Sequence, residues 1–182
     1  QQCGQDRTRT RGLTHASMET AMARALEWTR PLDERTLKHA VDYATQSAEA
    51  ALLRGEASIA LRIGRQLGLA QPEVAAHRDL AARASAVQDA ASDFIARHSG
   101  STDPDTVDAL AAAHLSRGDL MAASQFWLSL ARADSSRADA FLSFAWCMVR
   151  AGNIESAEPI VAHLSRLTSH PKIDAVSMMI AT

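Results

Sequence analysis

Aromatic residues are scarce in this sequence. They make up 4% of its 182 residues, whereas hydrophobic residues as a whole make up 47%. Much of that hydrophobic fraction is alanine, which has the highest helix propensity of all residues. A sheet would contain more valine, isoleucine, tyrosine and threonine. The composition therefore predicts an all-α protein in which helices pack closely through small side chains.

Cysteine is nearly absent, because Cys3 and Cys147 are the only two. This excludes a disulfide framework, and the two have no zinc-ligand spacing. Cys147 lies in the apolar stretch FAWCMV, which predicts a buried thiol. No apolar run is long enough to cross a bilayer, so no transmembrane helix is expected. The start QQCGQDRTRTRG lacks a methionine and an apolar signal core. We expect residues 1–15 to be a disordered tail or a vector-derived remnant.

The net charge of the chain is small. The formal net charge is −2, so no general attraction to nucleic acid or to an anionic membrane is expected. Lys38 and Lys172 are the only lysines, and the other basic residues are arginines. The bias toward arginine and alanine favours a bacterial, GC-rich genome, and the protein would then reside in the cytoplasm or the periplasm.

One short pattern occurs three times along the chain. It consists of a glycine, an alanine five positions later and a leucine seven positions after that. All three members keep the same offset between one copy and the next, and the first offset is nearly twice the second. The copies are Gly55, Ala60 and Leu67; Gly118, Ala123 and Leu130; and Gly152, Ala157 and Leu164.

The glycine marks a turn between two helices. Glycine can end a helix in a left-handed conformation at no steric cost. The residue that follows it, Glu56, Asp119 or Asn153, is able to cap the next helix. Arg117, Gly118 and Asp119 spell the Arg-Gly-Asp tripeptide of some adhesion proteins. Because the other copies place Gly-Glu and Gly-Asn at the same point, we interpret it as an inter-helix turn.

The pattern resembles the tetratricopeptide repeat, a helix-turn-helix unit whose period equals the offset from Gly118 to Gly152. The resemblance covers residues 41–72 and 104–171. Pro72 follows the first copy as that family requires, Ser135 replaces the proline in the second, and Pro171 comes two places late in the third. The large aromatics of the family's first helix are mostly missing. The resemblance implies a right-handed superhelix of antiparallel helix hairpins, an α-solenoid, with the alanines where paired helices approach most closely.

The rest of the chain is divided around these copies. Residues 16–72 hold N-terminal helices, one over Ser17–Arg30 and one from about Asp33 to Arg54, and the first hairpin. Residues 73–99 form one long connecting helix, and 104–171 hold two repeats. The long helix is predicted from apolar residues spaced by four, three, four and three: Leu80, Ala84, Val87, Ala91 and Phe94.

Two features near the end break the pattern. Pro159 falls about five residues into a predicted helix, so we expect a late helix start or a kink there. Residues 172–182 are expected to be a capping or truncated helix. Its apolar stretch VSMMI should not face water alone. Together with the missing initial methionine, this favours a fragment of a longer protein.

The sequence contains no recognised catalytic or phosphate-binding motif. The sequence has no glycine-rich phosphate loop, nucleophile elbow or His-Glu-x-x-His pair, and its seven histidines have no recurrent ligand spacing. His114 is expected to be packed or half-exposed beside the turn. We therefore predict no enzymatic activity, no cofactor and no metal.

A binding surface is the remaining hypothesis. The resemblance implies a concave wall formed by the first helix of each pair, on which peptides bind. By position it places eight candidate residues there: Asp42, Glu49, Asp105, Asp108, Leu115, Asp139, Leu142 and Trp146. Aspartates stand where some family members clamp a terminal carboxylate, so a basic or apolar segment is favoured over a carboxylate or RNA. Trp146 is the hot-spot candidate, although a core position is equally compatible.

The leading interpretation is a non-catalytic protein-interaction scaffold that helps to assemble a bacterial secretion, pilus or polysaccharide-export complex. The first alternative is an export chaperone that cradles an unfolded client in the groove. The second is the N-terminal targeting domain of a larger enzyme, such as a glycosyltransferase.

Overall fold

Helices account for nearly all of the chain that the computed structural model describes, residues 34–167 and 171–181, and no strand occurs among them. The all-α prediction is thus confirmed, and consecutive helices pack against one another. The helix predicted over Ser17–Arg30 and the tail with Cys3 lie outside the described residues. The eight described helices are α1 (Glu34–Leu53), α2 (Ala57–Ala70), α3 (Ala75–His98), α4 (Pro104–Arg117), α5 (Leu120–Ala133), α6 (Ala138–Arg150), α7 (Ile154–Leu167) and α8 (Pro171–Ala181).

The three turn glycines adopt the same left-handed conformation, with φ of +77° at Gly55, +82° at Gly118 and +83° at Gly152. Each donates its N–H to the carbonyl three residues back, and the next residue donates to the carbonyl five residues back. At the second turn these bonds are 2.8 Å to Leu115 and 2.9 Å to His114. This pair of bonds is the Schellman motif, which satisfies carbonyls left open at a helix end.

These turns join α1 to α2, α4 to α5 and α6 to α7. Because each link is two or three residues long and the joined helices pack together, they run antiparallel. The Arg-Gly-Asp tripeptide is therefore an inter-helix turn, as predicted.

Small residues line the contacts inside each hairpin. Ala60, Ala123 and Ala157 are all completely buried, and the leucines seven positions later are buried as well. A larger side chain at any of the three alanines would push the paired helices apart. The repeated alanine and leucine of the sequence pattern therefore mark core positions, as expected.

Three consecutive hydrophobic cores hold the helices together. The first lies among α1, α2 and α3, the second among α4, α5 and α6, and the third among α6, α7 and α8. Phe141 and Phe144 of α6 pack against both the second and the third. Cys147 is fully buried in the second core, which confirms the prediction of a buried thiol. The cores follow chain order, as in proteins whose repeats contact mainly their neighbours.

The long helix α3 begins at Ala75, three residues after Pro72, because residues 71–74 form a turn. Leu80, Ala84 and Ala91 are buried, whereas Val87 of the same apolar series is 42% exposed. A Cβ on Gly64 of α2 would lie 3.1 Å from the Ala81 nitrogen, so this glycine lets the two helices approach closely.

Carboxylates stabilise the turns that flank α4 and α5. Asp103 accepts hydrogen bonds from the hydroxyl (2.7 Å) and the N–H (2.9 Å) of Thr106, and in that order they lower its pKa. Asp134 accepts the same pair from Ser136, which likewise lowers its pKa. Both carboxylates stabilise the turns when ionised, and that contribution is lost as the pH falls through the lowered pKa values.

The last two helices contain the features singled out from the sequence near the end of the chain. Pro159 lies inside α7, which already begins at Ile154, so the late helix start was wrong. The helix α8 packs against α6 and α7 and buries Ile173 and Val176, while Met178 stays 65% exposed.

Gly118→Ala should destabilise the protein more than Gly152→Ala. Both residues are left-handed, and alanine in that conformation costs about 1–2 kcal/mol. A Cβ at Gly118 would also lie 2.7 Å from Ser58 Oγ, whereas nothing lies within 4 Å of one at Gly152. Overpacking adds about 1–3 kcal/mol. Urea unfolding followed by circular dichroism measures the difference, and adding Ser58→Ala should recover part of it. Equal losses for the two glycines would contradict the packing of this turn on α2.

Candidate functional site

Three of the eight predicted wall residues are exposed carboxylates. Asp42 lies on α1, Asp105 in the first turn of α4 and Asp139 in the first turn of α6. Asp105 has only a loose ion pair, 3.8 Å from Arg137, and its side chain is 94% exposed. Exposed ion pairs of this kind contribute little to stability. These three carboxylates are therefore accessible to another molecule.

Two further wall residues are bonded within the fold. Glu49 of α1 is ion-paired with Arg83 of α3, and both side chains are about half exposed. Asp108 of α4 accepts a 2.8 Å hydrogen bond from the indole N–H of Trp127 on α5. Both carboxylates thus join helices, and a partner that used them would have to compete with these bonds.

Leu115 and Leu142 are core residues rather than wall residues. Leu142 is 1% exposed and belongs to the third core, and Leu115 is 8% exposed and belongs to the second. In a short helix whose neighbours pack on two sides, a position that faces the inner surface of one repeat also meets the next helix. Helical periodicity along the sequence does not separate these two environments.

Trp146 is half-buried, and its indole N–H lies 3.3 Å from the carboxylate of Glu56, ninety residues earlier in the chain. The indole therefore bonds to the first hairpin turn. Glu56 was expected to cap α2, but its side chain makes no capping bond. By contrast, Asp119 accepts from the Ala122 N–H and Asn153 from the Ser156 N–H, at 3.1 and 3.3 Å. The longer side chain of Glu56 instead turns inward.

Glu56 is the centre of a buried charge network. One carboxylate oxygen lies 2.9 Å from Nε of Arg54, and the other lies 3.3 Å from Nε of Arg150 at the end of α6. The Glu56 side chain is 2% exposed and that of Arg150 is 4% exposed. A charge removed from water this completely is stable only with partners at hydrogen-bond distance. The network joins the first hairpin to the third.

The second hairpin turn meets the first beside this network. The hydroxyl of Ser116 donates a 2.8 Å hydrogen bond to the Gly55 carbonyl, and Gly118 packs against Ser58. The ends of α1, α4 and α6 therefore lie together. We call this region the turn junction, and it comprises the turns at Gly55 and Gly118 with the end of α6.

A cleft of about 310 Å³ opens at the turn junction. Its charged lining consists of three guanidiniums, from Arg62, Arg117 and Arg150, and the Glu56 carboxylate, which gives a formal charge of +2. Ile59, Leu115 and Leu120 supply aliphatic surface. The cleft thus combines positive charge with apolar walls, although the whole chain carries a net charge of −2.

A second cleft, of about 350 Å³, lies between α6 and α7. It is lined mainly by apolar side chains, those of Phe141, Pro159, Ile160 and Leu164, together with Ser135 and His163. It has no carboxylate or guanidinium in its lining, so it gives no indication of the charge of a ligand.

Two histidines, His114 and His77, are partly or fully buried within the fold. His114 is half-buried and stacks on Phe126 with ring centroids 5.4 Å apart, which confirms the packed position expected beside the turn. His77 is buried in the first turn of α3, and its Nδ1 has no hydrogen-bond partner among the described residues. Within residues 34–167 and 171–181, no three histidine, cysteine or acidic side chains are grouped to hold a metal ion.

No family model, curated protein or solved structure matches this sequence. The interpretation of this chain as a helical repeat therefore rests on the recurrent turn and core positions alone. None of the helices in the described ranges combines the length and apolarity needed to span a bilayer.

The turn junction was not predicted from the sequence, although the sequence contains a signal for it. An arginine stands one or two positions before each turn glycine, namely Arg54, Arg117 and Arg150. Basic residues at helix ends are common because they complement the helix dipole. The recurrence of arginine before each turn therefore did not by itself indicate a binding site. That the three turns are neighbours depends on the packing of the hairpins.

Glu56→Gln should lower the free energy of unfolding by about 3 kcal/mol, because it leaves the buried charge of Arg150 without the Glu56 carboxylate. Glu49→Gln is the matched control, since it neutralises a half-exposed glutamate that also pairs with an arginine. Its cost should stay below about 1 kcal/mol. Urea unfolding of both variants provides the comparison. Similar losses for the two would show that the buried network contributes no more than a surface ion pair.

Proposed function

We propose that this chain is a non-catalytic protein-interaction scaffold. In this proposal the hairpins form a right-handed superhelix of the tetratricopeptide type, which holds a segment of a partner protein along the first helix of each pair. The observation that carries it is the threefold repetition of one turn, with the same pair of hydrogen bonds at Gly55, Gly118 and Gly152. Stacked helical repeats produce long continuous surfaces suited to extended partners.

The proposed contact face consists of Asp42, Asp105 and Asp139, one exposed carboxylate on the first helix of each hairpin. We refer to these three residues as the acidic face. A basic segment of the partner would be complementary in charge to these exposed carboxylates. Glu49, Asp108 and Trp146 are excluded because their bonds within the fold occupy them. Leu142 is excluded because it is buried in the third core, and Leu115 because its small exposed part lines the separate cleft at the turn junction.

The partner is accordingly a peptide segment that carries lysine or arginine residues. Exposed charges at the rim of an interface act mainly on association rate and salt dependence. We therefore expect moderate affinity that weakens as the ionic strength rises. A role in assembling a bacterial secretion, pilus or polysaccharide-export complex remains a prediction from the sequence.

Neutralising the acidic face should weaken the binding of basic peptides. The test uses fluorescein-labelled 12-residue peptides that alternate lysine with leucine, measured by fluorescence anisotropy at low salt. The variant Asp42→Asn, Asp105→Asn, Asp139→Asn should lose about tenfold in affinity, from three contacts of roughly 0.5 kcal/mol each. Helical circular dichroism should be unchanged, because all three side chains are exposed.

The matched control is Asp89→Asn, Asp93→Asn, Glu158→Gln, which removes the same charge from exposed positions on α3 and α7. It should retain affinity within about twofold, since only general electrostatics change. Equal losses for the two triple variants would reject the acidic face as a site. A peptide that does not bind the unmodified protein at all would reject the proposed partner chemistry.

A further inference from the structure

We propose a second binding site in the cleft at the turn junction, which takes an acidic residue of a partner peptide together with an adjacent aliphatic side chain. This site is separate from the acidic face and has the opposite chemistry. Its charged groups are Arg62, Arg117 and Arg150 with Glu56, and its apolar walls are Ile59, Leu115 and Leu120.

Two guanidiniums at this site have no partner among the described residues. The single carboxylate of Glu56 already contacts two guanidiniums, those of Arg54 and Arg150. Arg62 and Arg117 both line the cleft, are exposed, and have no hydrogen bond or ion pair to any other described residue. An arginine presents up to five N–H donors in a planar fork that matches a carboxylate. These two guanidiniums are accordingly available to an anionic ligand.

Arg62 has no explanation in helix electrostatics. Arg117 ends α4 and Arg150 ends α6, where a cation is favoured by the helix dipole. Arg62 lies in the second turn of α2, beyond the terminal turn in which the dipole acts, so the dipole does not favour a cation there. Its position is accounted for by the cleft, which it lines together with the second hairpin turn.

The walls of the cleft are fixed by contacts within the fold. Ser116 bonds to the Gly55 carbonyl at 2.8 Å, Gly118 packs on Ser58, and Glu56 holds Arg150 at 3.3 Å. A ligand would therefore order only the side chains of Arg62 and Arg117. A preorganised site loses less conformational entropy on binding, which raises affinity.

The aliphatic lining favours a peptide over a free phosphate. Ile59 and Leu120 are half-buried, and together with Leu115 they give apolar surface within the same cleft as the guanidiniums. Inorganic phosphate would leave that surface wet, and its second negative charge would be repelled by the Glu56 carboxylate. A glutamate followed by a leucine satisfies both the guanidiniums and the apolar walls.

The test is a titration with a fluorescein-labelled 12-residue peptide that alternates glutamate with leucine, followed by anisotropy. A matched peptide has glutamine in place of every glutamate. We expect the acidic peptide to bind at least tenfold more tightly than the glutamine peptide. The variant Arg62→Gln, Arg117→Gln should reduce that affinity at least tenfold with no change in the urea midpoint, since both side chains are exposed.

The control variant is Arg65→Gln, Arg132→Gln, which removes two exposed arginines from α2 and α5 outside the cleft. It should stay within twofold of the unmodified protein. Equal losses in the two double variants, equal binding of the two peptides, or no detectable binding at millimolar protein would each overturn the proposal. Full displacement of the peptide by equimolar inorganic phosphate would also overturn it, in favour of a phosphate site.

The same titration separates this site from the acidic face. The triple variant Asp42→Asn, Asp105→Asn, Asp139→Asn should bind the acidic peptide as well as the unmodified protein does. If the lysine peptide fails to bind while the glutamate peptide binds, the acidic face is rejected and the cleft stands. The reverse outcome rejects the cleft and leaves the acidic face.

Discussion

The carboxylate of Glu56 connects parts of the chain that are ninety or more residues apart, and the arrangement of the hairpins depends on it. Its two oxygens contact Arg54 near its own turn and Trp146 and Arg150 on α6. In a stack of helical repeats, stability is close to a sum of each repeat and its contacts with the next. Here the first hairpin also contacts the third, and Ser116 links it to the second. The first two turns and the end of α6 are therefore linked by side-chain contacts in addition to the three cores arranged along the chain.

Burying this network has an energetic cost that an apolar cluster would avoid. Desolvation of Glu56 and Arg150 offsets much of their attraction, so the pair adds little net stability while its disruption is expensive. We interpret its role as positional. A carboxylate that must meet two guanidiniums and an indole N–H accepts one arrangement of the neighbouring helices, whereas alanine-rich surfaces pack in several. Close packing through alanine explains how paired helices can approach one another. The Glu56 network explains why the ends of α1 and α6 lie together at the turn junction.

The sequence predicted the parts of this fold that depend on local chemistry. A glycine at each turn and an alanine five residues later follow from backbone geometry and close helix contact, and both are where the pattern placed them. Val87 and Leu142 show where this argument stops, because helical spacing gives the face of a residue but not which neighbour covers that face. The turn junction depends on contacts between residues ninety positions apart, such as Glu56 with Trp146. Such contacts arise from the packing of whole hairpins, so no local pattern encodes them.

Opposite charges occupy opposite ends of the same helices. The helix α4 begins with Asp105 in its first turn and ends at Arg117, and α6 has Asp139 in its first turn and ends at Arg150. The helix dipole favours this order in any protein, so the order alone does not indicate a partner. Two observations go beyond it: Arg62 lies where the dipole does not favour a cation, and the cleft is lined by Arg62 together with Arg117 and Arg150. A helix of the length of α4 extends roughly 20 Å. A single segment that contacted both the acidic face and the cleft would need basic and acidic residues separated by about that distance.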